Sequence, residues 1–308
     1  MRIVSLIPSA TEIVCALGFR DQLVGRSHEC DFPGGVEALP ALTAPKMDPR
    51  AGTEAIDREV RGLVEQGLSV YRIDTDALER LQPDVVVTQD QCQVCAVSLA
   101  DVTAAVCQLA KRDVQVVSLS PLSLADVFGD VQTVARTLGV EEEGRELVEE
   151  QRDRLAATAS AALPGLRLHP RPRVAHIEWI APLMVGGHWM HELVEAAGGE
   201  HRLGVRDGNS RPVAWDDVRA YDPEVVIIAP CGFKIPQSER DRGLLERLPG
   251  WSETTAARNG RVFLADGNAF FNRPGPRLVD TAEIVQAAMF GRKARHRFPA
   301  EALRPFAG

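Results

Sequence analysis

LERLQPDVVVTQD, residues 78–90, reads as the end of a helix, a break at Pro83 and a strand of continuous apolar residues. The residue before a proline is pushed out of helical conformation, so the helix must stop there. An unbroken Val run without polar alternation fits a strand buried on both faces, as in a parallel sheet covered by helices. VRAYDPEVVIIAP, residues 218–230, repeats the same order: helix end, proline and acid, buried strand, loop. Two such phrases, one in each half of the chain, predict two similar α/β lobes.

Working outward, Ile3–Ile7 is a short β-branched strand. Ser9-Ala10-Thr11-Glu12 then has the form of a capping box, with Ser9 capping the helix and Glu12 reaching back. That helix is expected to run to Leu17 and stop at Gly18. Ser98–Lys111 reads as a helix and Val114–Leu119 as the next strand. Leu124–Leu163 holds no proline and is predicted as one long connecting helix, interrupted near Gly139. Strands at Arg173–Trp179, Glu224–Ala229 and Arg261–Ala265 alternate with helices at Trp189–Ala197, Val213–Ala220, Ser238–Leu248 and Pro276–Phe290. The fold class is therefore α/β: two Rossmann-like lobes with parallel-type sheets joined by one long helix. Residues 1–120 form the first lobe, 121–172 the connecting helix and linker, and 173–308 the second.

A chain of 308 residues is long enough for two such cores. A formal net charge of −8 and the lack of a long basic run argue against nucleic acid or an anionic membrane surface as partner. No stretch approaches the roughly 20 apolar residues of a membrane span. The apolar run after Met1-Arg2 is too short for a signal-peptide core, so the sequence as written predicts a cytoplasmic protein. An extracytoplasmic location is the alternative if a leader precedes it. Of six cysteines, Cys15 and Cys107 fall in apolar helical patterns and are expected to be buried thiols.

Ligands of open α/β sheets bind outside the carboxyl ends of the strands. Those ends carry Ser9 and Thr11, then His28 and Cys30, then Gln89 and Cys92 in the first lobe. In the second they carry Trp179, Phe233, Phe270 and Phe271, with Arg273 close behind. In a chain only 5% aromatic, rings gathered there suit a large flat ligand. Adjacent Phe270 and Phe271 are not expected both to point inward. Gly187, before His188 and Trp189, offers close backbone approach to a ligand. Trp189 and one of the two Phe rings are expected to face the groove. His28, Cys30, Cys92 and Cys95 have the composition of a soft-metal site, and Cys92-x-x-Cys95 the spacing of half of one. A metal-free cluster of reduced thiols reads equally from the same residues. No nucleophile elbow, phosphate loop or dinucleotide fingerprint is present, and no paired carboxylates stand out, so the chain is not read as an enzyme.

RIVSLIPSATEIVCALG (residues 2–18), LQPDVVVTQDQCQVCAVS (81–98), GGHWMHELVEAAGG (186–199) and RPGPRLVDTAEIV (273–285) resemble the cobalamin-type substrate-binding proteins of ABC importers. These belong to the class III periplasmic binding proteins, whose other members serve ferric siderophores, haem and some metals. The resemblance implies a corrinoid bound in the interlobe cleft, by a transport component or a cytosolic carrier. It also implies docking of surface Glu residues on an ABC permease, without membrane insertion. Two alternatives stay open: a metal-, haem- or siderophore-binding protein using the Cys/His cluster, and a chelatase-like tetrapyrrole enzyme on a similar scaffold.

Overall fold

Among the described residues, the first half of the chain contributes six strands: β1 (Ile3–Ser5), β2 (Leu23–Arg26), β3 (Thr43–Pro45), β4 (Tyr71–Ile73), β5 (Val85–Gln89) and β6 (Gln115–Leu119). The second half contributes six more: β7 (Val174–Trp179), β8 (Met184–Val185), β9 (Arg211–Pro212), β10 (Val225–Ile228), β11 (Val262–Ala265) and β12 (Leu303–Pro305). These come from a computed structural model that describes residues 1–66, 68–90, 98–109, 113–166 and 170–306, without the side chains of 164–166.

In the first half the sheet order is β2-β1-β5-β6, parallel throughout, with β3 and β4 as a separate antiparallel pair. In the second half it is β12-β11-β10-β7-β8-β9. The inner strands β11, β10 and β7 pair in parallel, the parallel-type core expected, and β12, β8 and β9 add antiparallel pairings at the edges. The chain divides into two compact units. Met1–Ala51, Arg58–Pro121 and Ala125–Glu149 make the first; Gly52–Asp57, Leu122–Leu124 and Glu150–Gly308 make the second.

The echo between residues 78–90 and 218–230 extends to single hydrogen bonds. Gln82 and Asp222 both end their helices in left-handed conformation (φ 46° each), a common way to close a helix ahead of a strand. Arg2 Nε donates to the Leu81 carbonyl at 2.7 Å, and Arg173 Nε to the Asp222 carbonyl at 2.8 Å. The Arg2 amide donates to Asp84 Oδ2 at 2.6 Å, and the Arg173 amide to Glu224 Oε2 at 3.0 Å. The proline thus turns the chain, and the acid after it pins the edge of the neighbouring strand. In both units the strand that follows is buried along its length.

Each sheet has its own core. Val4, Val86, Leu78 and Val102 pack in the first unit; Ile177, Ile228, Leu264 and Trp251 pack in the second. On the other face of the second sheet, Val174, Val225 and Ile227 are also buried, and the helix Leu278–Phe290 contacts β10 and is buried along most of its length.

Several expectations shift. The first helix is Pro8–Ala16; Pro8 takes the first helical position and Ile7 is its N-cap with no side-chain cap, so the Ser9 capping box does not form. Gly18 does close it, at φ +86°. The predicted connector is two helices, Leu124–Leu138 and Glu141–Leu166, broken at Gly139 with φ +75°. The helix after Ser98 is Leu99–Cys107, with Ser98 accepting from the Asp101 amide. The helix expected over Ser238–Leu248 is two short ones, Ile235–Arg240 and Arg242–Glu246. Cys107 is exposed and Cys15 half-buried, so neither is the buried thiol its apolar pattern suggested.

Candidate ligand-binding site

At the carboxyl end of β1, Ser9 and Thr11 are buried rather than presented. Thr11 Oγ1 lies 2.8 Å from Ser5 Oγ and 3.0 Å from Cys30 Sγ, so the Cys30 thiol is held inside the unit. Gln89, ending β5, is buried too. Among the described residues no group of three or more His, Cys, Asp or Glu is placed to hold a metal ion; Cys92 and Cys95 lie outside the described residues.

His28, after β2, is the partly accessible member of this set, with its side chain 23% exposed. Thr43 Oγ1 accepts from the His28 amide at 3.1 Å and gives its single hydrogen to Ser27 Oγ, also at 3.1 Å. Thr43 Oγ1 also lies 2.7 Å from His28 Nδ1, and Nε2 lies 3.9 Å from Glu29 Oε1. Burial, with Arg26 nearby, pushes the imidazole down to about 4, so the ring is neutral at pH 7. Tyr71 flanks it, ring centroids 5.4 Å apart.

In the second unit, Trp179 ends β7 half-buried and meets the edge of Phe233 at 5.3 Å. Its Nε1–H is held by the Ala181 carbonyl at 3.1 Å. Phe270 and Phe271 are both buried, at 4% and 1% exposure, against the expectation that one faces out. Phe271 turns inward because it adopts φ +47°, while its amide donates to Thr281 Oγ1 at 3.0 Å and its ring stacks on His176. Trp189, expected at a groove, is 3% exposed. Arg273 is buried as well and donates to Asn268 Oδ1 at 3.1 Å.

Gly186 and Gly187 do allow close approach, but to the chain itself. A Cβ on Gly187 would lie 2.3 Å from the Gly208 carbonyl, and one on Gly186 2.1 Å from His176 Nδ1. His188, at φ +51°, donates its amide to the Gly208 carbonyl at 2.6 Å and stacks on Trp189 at 5.2 Å. Burial lowers the His188 imidazole, so it too is neutral at pH 7.

The family described as periplasmic binding protein matches residues 3–269. The chain belongs to that family. As a periplasmic binding protein it is a substrate-binding protein of the ABC-transporter type. A Bacillus subtilis (strain 168) relative, the ABC transporter substrate-binding lipoprotein YvrC, is 20% identical over 94% of this chain and 80% of its own length. Among solved structures, a periplasmic haem-binding protein from Pseudomonas aeruginosa superposes with a TM-score of 0.72 at 21% identity, covering 99% of this chain and 97% of its own. The vitamin B12-binding protein BtuF of Vibrio cholerae gives 0.64 at 20% identity, covering 94% and 96%. Identities this low establish the shared α/β fold.

This periplasmic binding protein also places polar residues at strand ends that its sequence did not single out. Glu178, next to last in β7, accepts from Ser210 Oγ at 2.6 Å. Ser210 Oγ in turn accepts from the Gly187 amide at 3.0 Å. Thr43 and Tyr71 stand beside His28. A lone Glu inside VAHIEW and a Thr opening the short strand β3 give no spacing signal, so their roles appear only in three dimensions.

Proposed function

We propose that this binding protein captures a cobalt corrinoid outside the cytoplasm and hands it to an ABC permease, without chemistry on the ligand. The observation that carries the reading is the half-buried Trp179 ring set against Phe233, at the carboxyl end of β7 and just beyond that of β10. Such an apolar face suits the hydrocarbon flank of a macrocycle. The His188 imidazole, stacked on Trp189, is neutral at pH 7, which suits a ligand rimmed by uncharged groups. The four motifs shared with cobalamin-type proteins and the likeness to a B12-binding structure support the same choice. The names of the relatives, one a lipoprotein and others periplasmic, support placement outside the cytoplasm. No described helix is long and apolar enough to cross a membrane.

A haem ligand is the second reading. It is favoured by His28, a partly exposed imidazole that is neutral at pH 7 and of a type that binds iron as well as cobalt. Equilibrium dialysis of the purified protein against cyanocobalamin and haemin separates the two. Preferential retention of cyanocobalamin is expected; preference for haemin overturns the corrinoid reading.

A further inference from the structure

We propose that Glu178 is a specificity-determining residue of the ligand site, hydrogen-bonding the amide rim of the bound macrocycle. The assignment rests on the corrinoid reading above and names the group that selects for it.

Ser210 has one hydroxyl hydrogen, and the Gly187 amide is only a donor. Ser210 Oγ therefore accepts from Gly187 and donates to Glu178 Oε2. With the Ser210 bond kept on Oε2, Oε1 is the carboxyl oxygen left to meet a ligand. The relay is rigid at its far end. Gly187 is pressed against the Gly208 and Asn209 backbone, and His188 is fixed in left-handed conformation by its bond to the Gly208 carbonyl. Glu178 precedes Trp179 at the carboxyl end of β7, the end at which parallel strands of open α/β sheets meet their ligands.

Both protonation states are accessible near neutral pH. Burial pushes the carboxyl up to about 7, with the Ser210 hydroxyl acting in the opposite direction. The titratable groups on the adjoining elements are His176 on the same strand, His188 on the loop of Gly187, and Cys231, whose amide donates to the Glu178 carbonyl at 3.1 Å. Burial keeps both imidazoles neutral at pH 7. Arg211, next to Ser210, directs its guanidinium to the Leu203 carbonyl at 2.8 Å.

This chemistry discriminates between ligand rims. A primary amide offers both N–H and C=O, so it pairs with the carboxyl in either state: it accepts from the acid and donates to the carboxylate. A ligand carboxylate can only accept, so it pairs with the acid and is repelled by the carboxylate. Corrinoids carry amides at the rim and haem carries carboxylates.

The test is a titration of wild type, Glu178→Gln and Glu178→Ala with cyanocobalamin at pH 5.5, 7 and 8.5, with thermal melts to check folding. Wild-type affinity is expected to change less than about threefold across the range, since an amide serves both states. Glu178→Gln, which keeps donor and acceptor, is expected to stay within about threefold of wild type. Glu178→Ala is expected to weaken binding about tenfold, the scale of one hydrogen bond of about 1.4 kcal/mol. Unaltered affinity in a folded Glu178→Ala overturns the Glu178 assignment alone. A steep loss of wild-type affinity with rising pH, abolished in Glu178→Gln, overturns the amide rim in favour of a carboxylate. Failure of wild type to bind cyanocobalamin at any pH overturns both the assignment and the reading beneath it.

Discussion

Trp189 Nε1 donates to the main-chain carbonyl of Phe271 at 2.8 Å, joining two loops whose residues lie 82 positions apart. The indole is buried at 3% exposure, so this bond has little competition from water. Trp189→Phe keeps most of the apolar volume and orphans the carbonyl, with an expected cost of about 1–3 kcal/mol. Trp189→Ala adds a cavity and is expected to cost about 3–5 kcal/mol. Urea unfolding at constant m-value measures both. Equal stability of Trp189→Phe and wild type would show that the bond contributes nothing.

The two proline-acid-strand phrases make the paired α/β architecture legible, because a buried strand after a forced helix stop leaves few alternatives. Gly18 and Gly139 mark their breaks for the same reason: left-handed backbone favours glycine. The site is harder to read. Phe270-Phe271 looks too crowded to bury together, yet a left-handed Phe271 resolves the crowding, and sequence alone gives no hint of that strain. Trp189 reads as a ligand platform because its actual partner is a backbone carbonyl, which carries no sequence signal. Ser9 reads as a cap when Pro8 is given to the loop, although proline is well suited to the first helical position.

Arg154 is the hub of a buried charge cluster in the second unit. Its Nη2 donates to Asp280 Oδ1 at 2.5 Å and to Glu283 Oε1 at 2.9 Å, tying the helix Glu141–Leu166 to the helix Leu278–Phe290. Arg154→Ala leaves two carboxylates facing each other with little water. The expected loss is about 3–5 kcal/mol, the cost of uncompensated buried charge. Adding Asp280→Asn to Arg154→Ala is expected to recover part of it. Thermal or urea denaturation of the single and double variants decides, and additivity of the two losses would contradict the coupling.

Stability should fall on acidification, and the sign follows from the buried histidines. Burial, with His201 nearby, pushes His176 down to about 3, and His28 and His191 lie at about 4, mainly through burial. Below about 6.5 the unfolded chain takes up protons that the folded rings refuse. Their contribution is complete above that pH and is lost as pH falls through the folded values. Glu178 acts oppositely. Its carboxyl is raised to about 7, so its contribution is complete below the ordinary Glu range of about 4.3 and fades as pH rises through 7. Asp130, raised to about 7 by burial, and Asp280, also raised by burial, act with Glu178, but the lowered rings, which include His188, His201 and His296, outnumber these carboxyls, so the urea midpoint is expected to drop from about pH 6.5 to about pH 4. His176→Leu is expected to flatten that limb. A midpoint independent of pH over this interval would rule out the assignment of neutral, buried rings.

The last prediction concerns the His28 ring. Thr43 Oγ1 lies 2.7 Å from Nδ1, so in the tautomer with the proton on Nδ1 the free lone pair is on Nε2. If that nitrogen coordinates the ligand's metal, the wild type should shift the visible bands of aquocobalamin, whose cobalt-bound water is exchangeable. His28→Ala should bind without the shift. Thr43→Val removes the hydroxyl that holds Nδ1, so the shift should be smaller and the affinity lower by about 1 kcal/mol, one neutral hydrogen bond. The pH dependence provides an independent check. An ordinary imidazole is mostly protonated at pH 5 and cannot coordinate, whereas a ring held down to about 4 stays neutral there. The band shift should therefore persist at pH 5 and disappear only toward pH 4. An identical shift in His28→Ala and wild type would remove His28 from the metal, and a shift lost by pH 6 would contradict the burial that keeps its ring neutral.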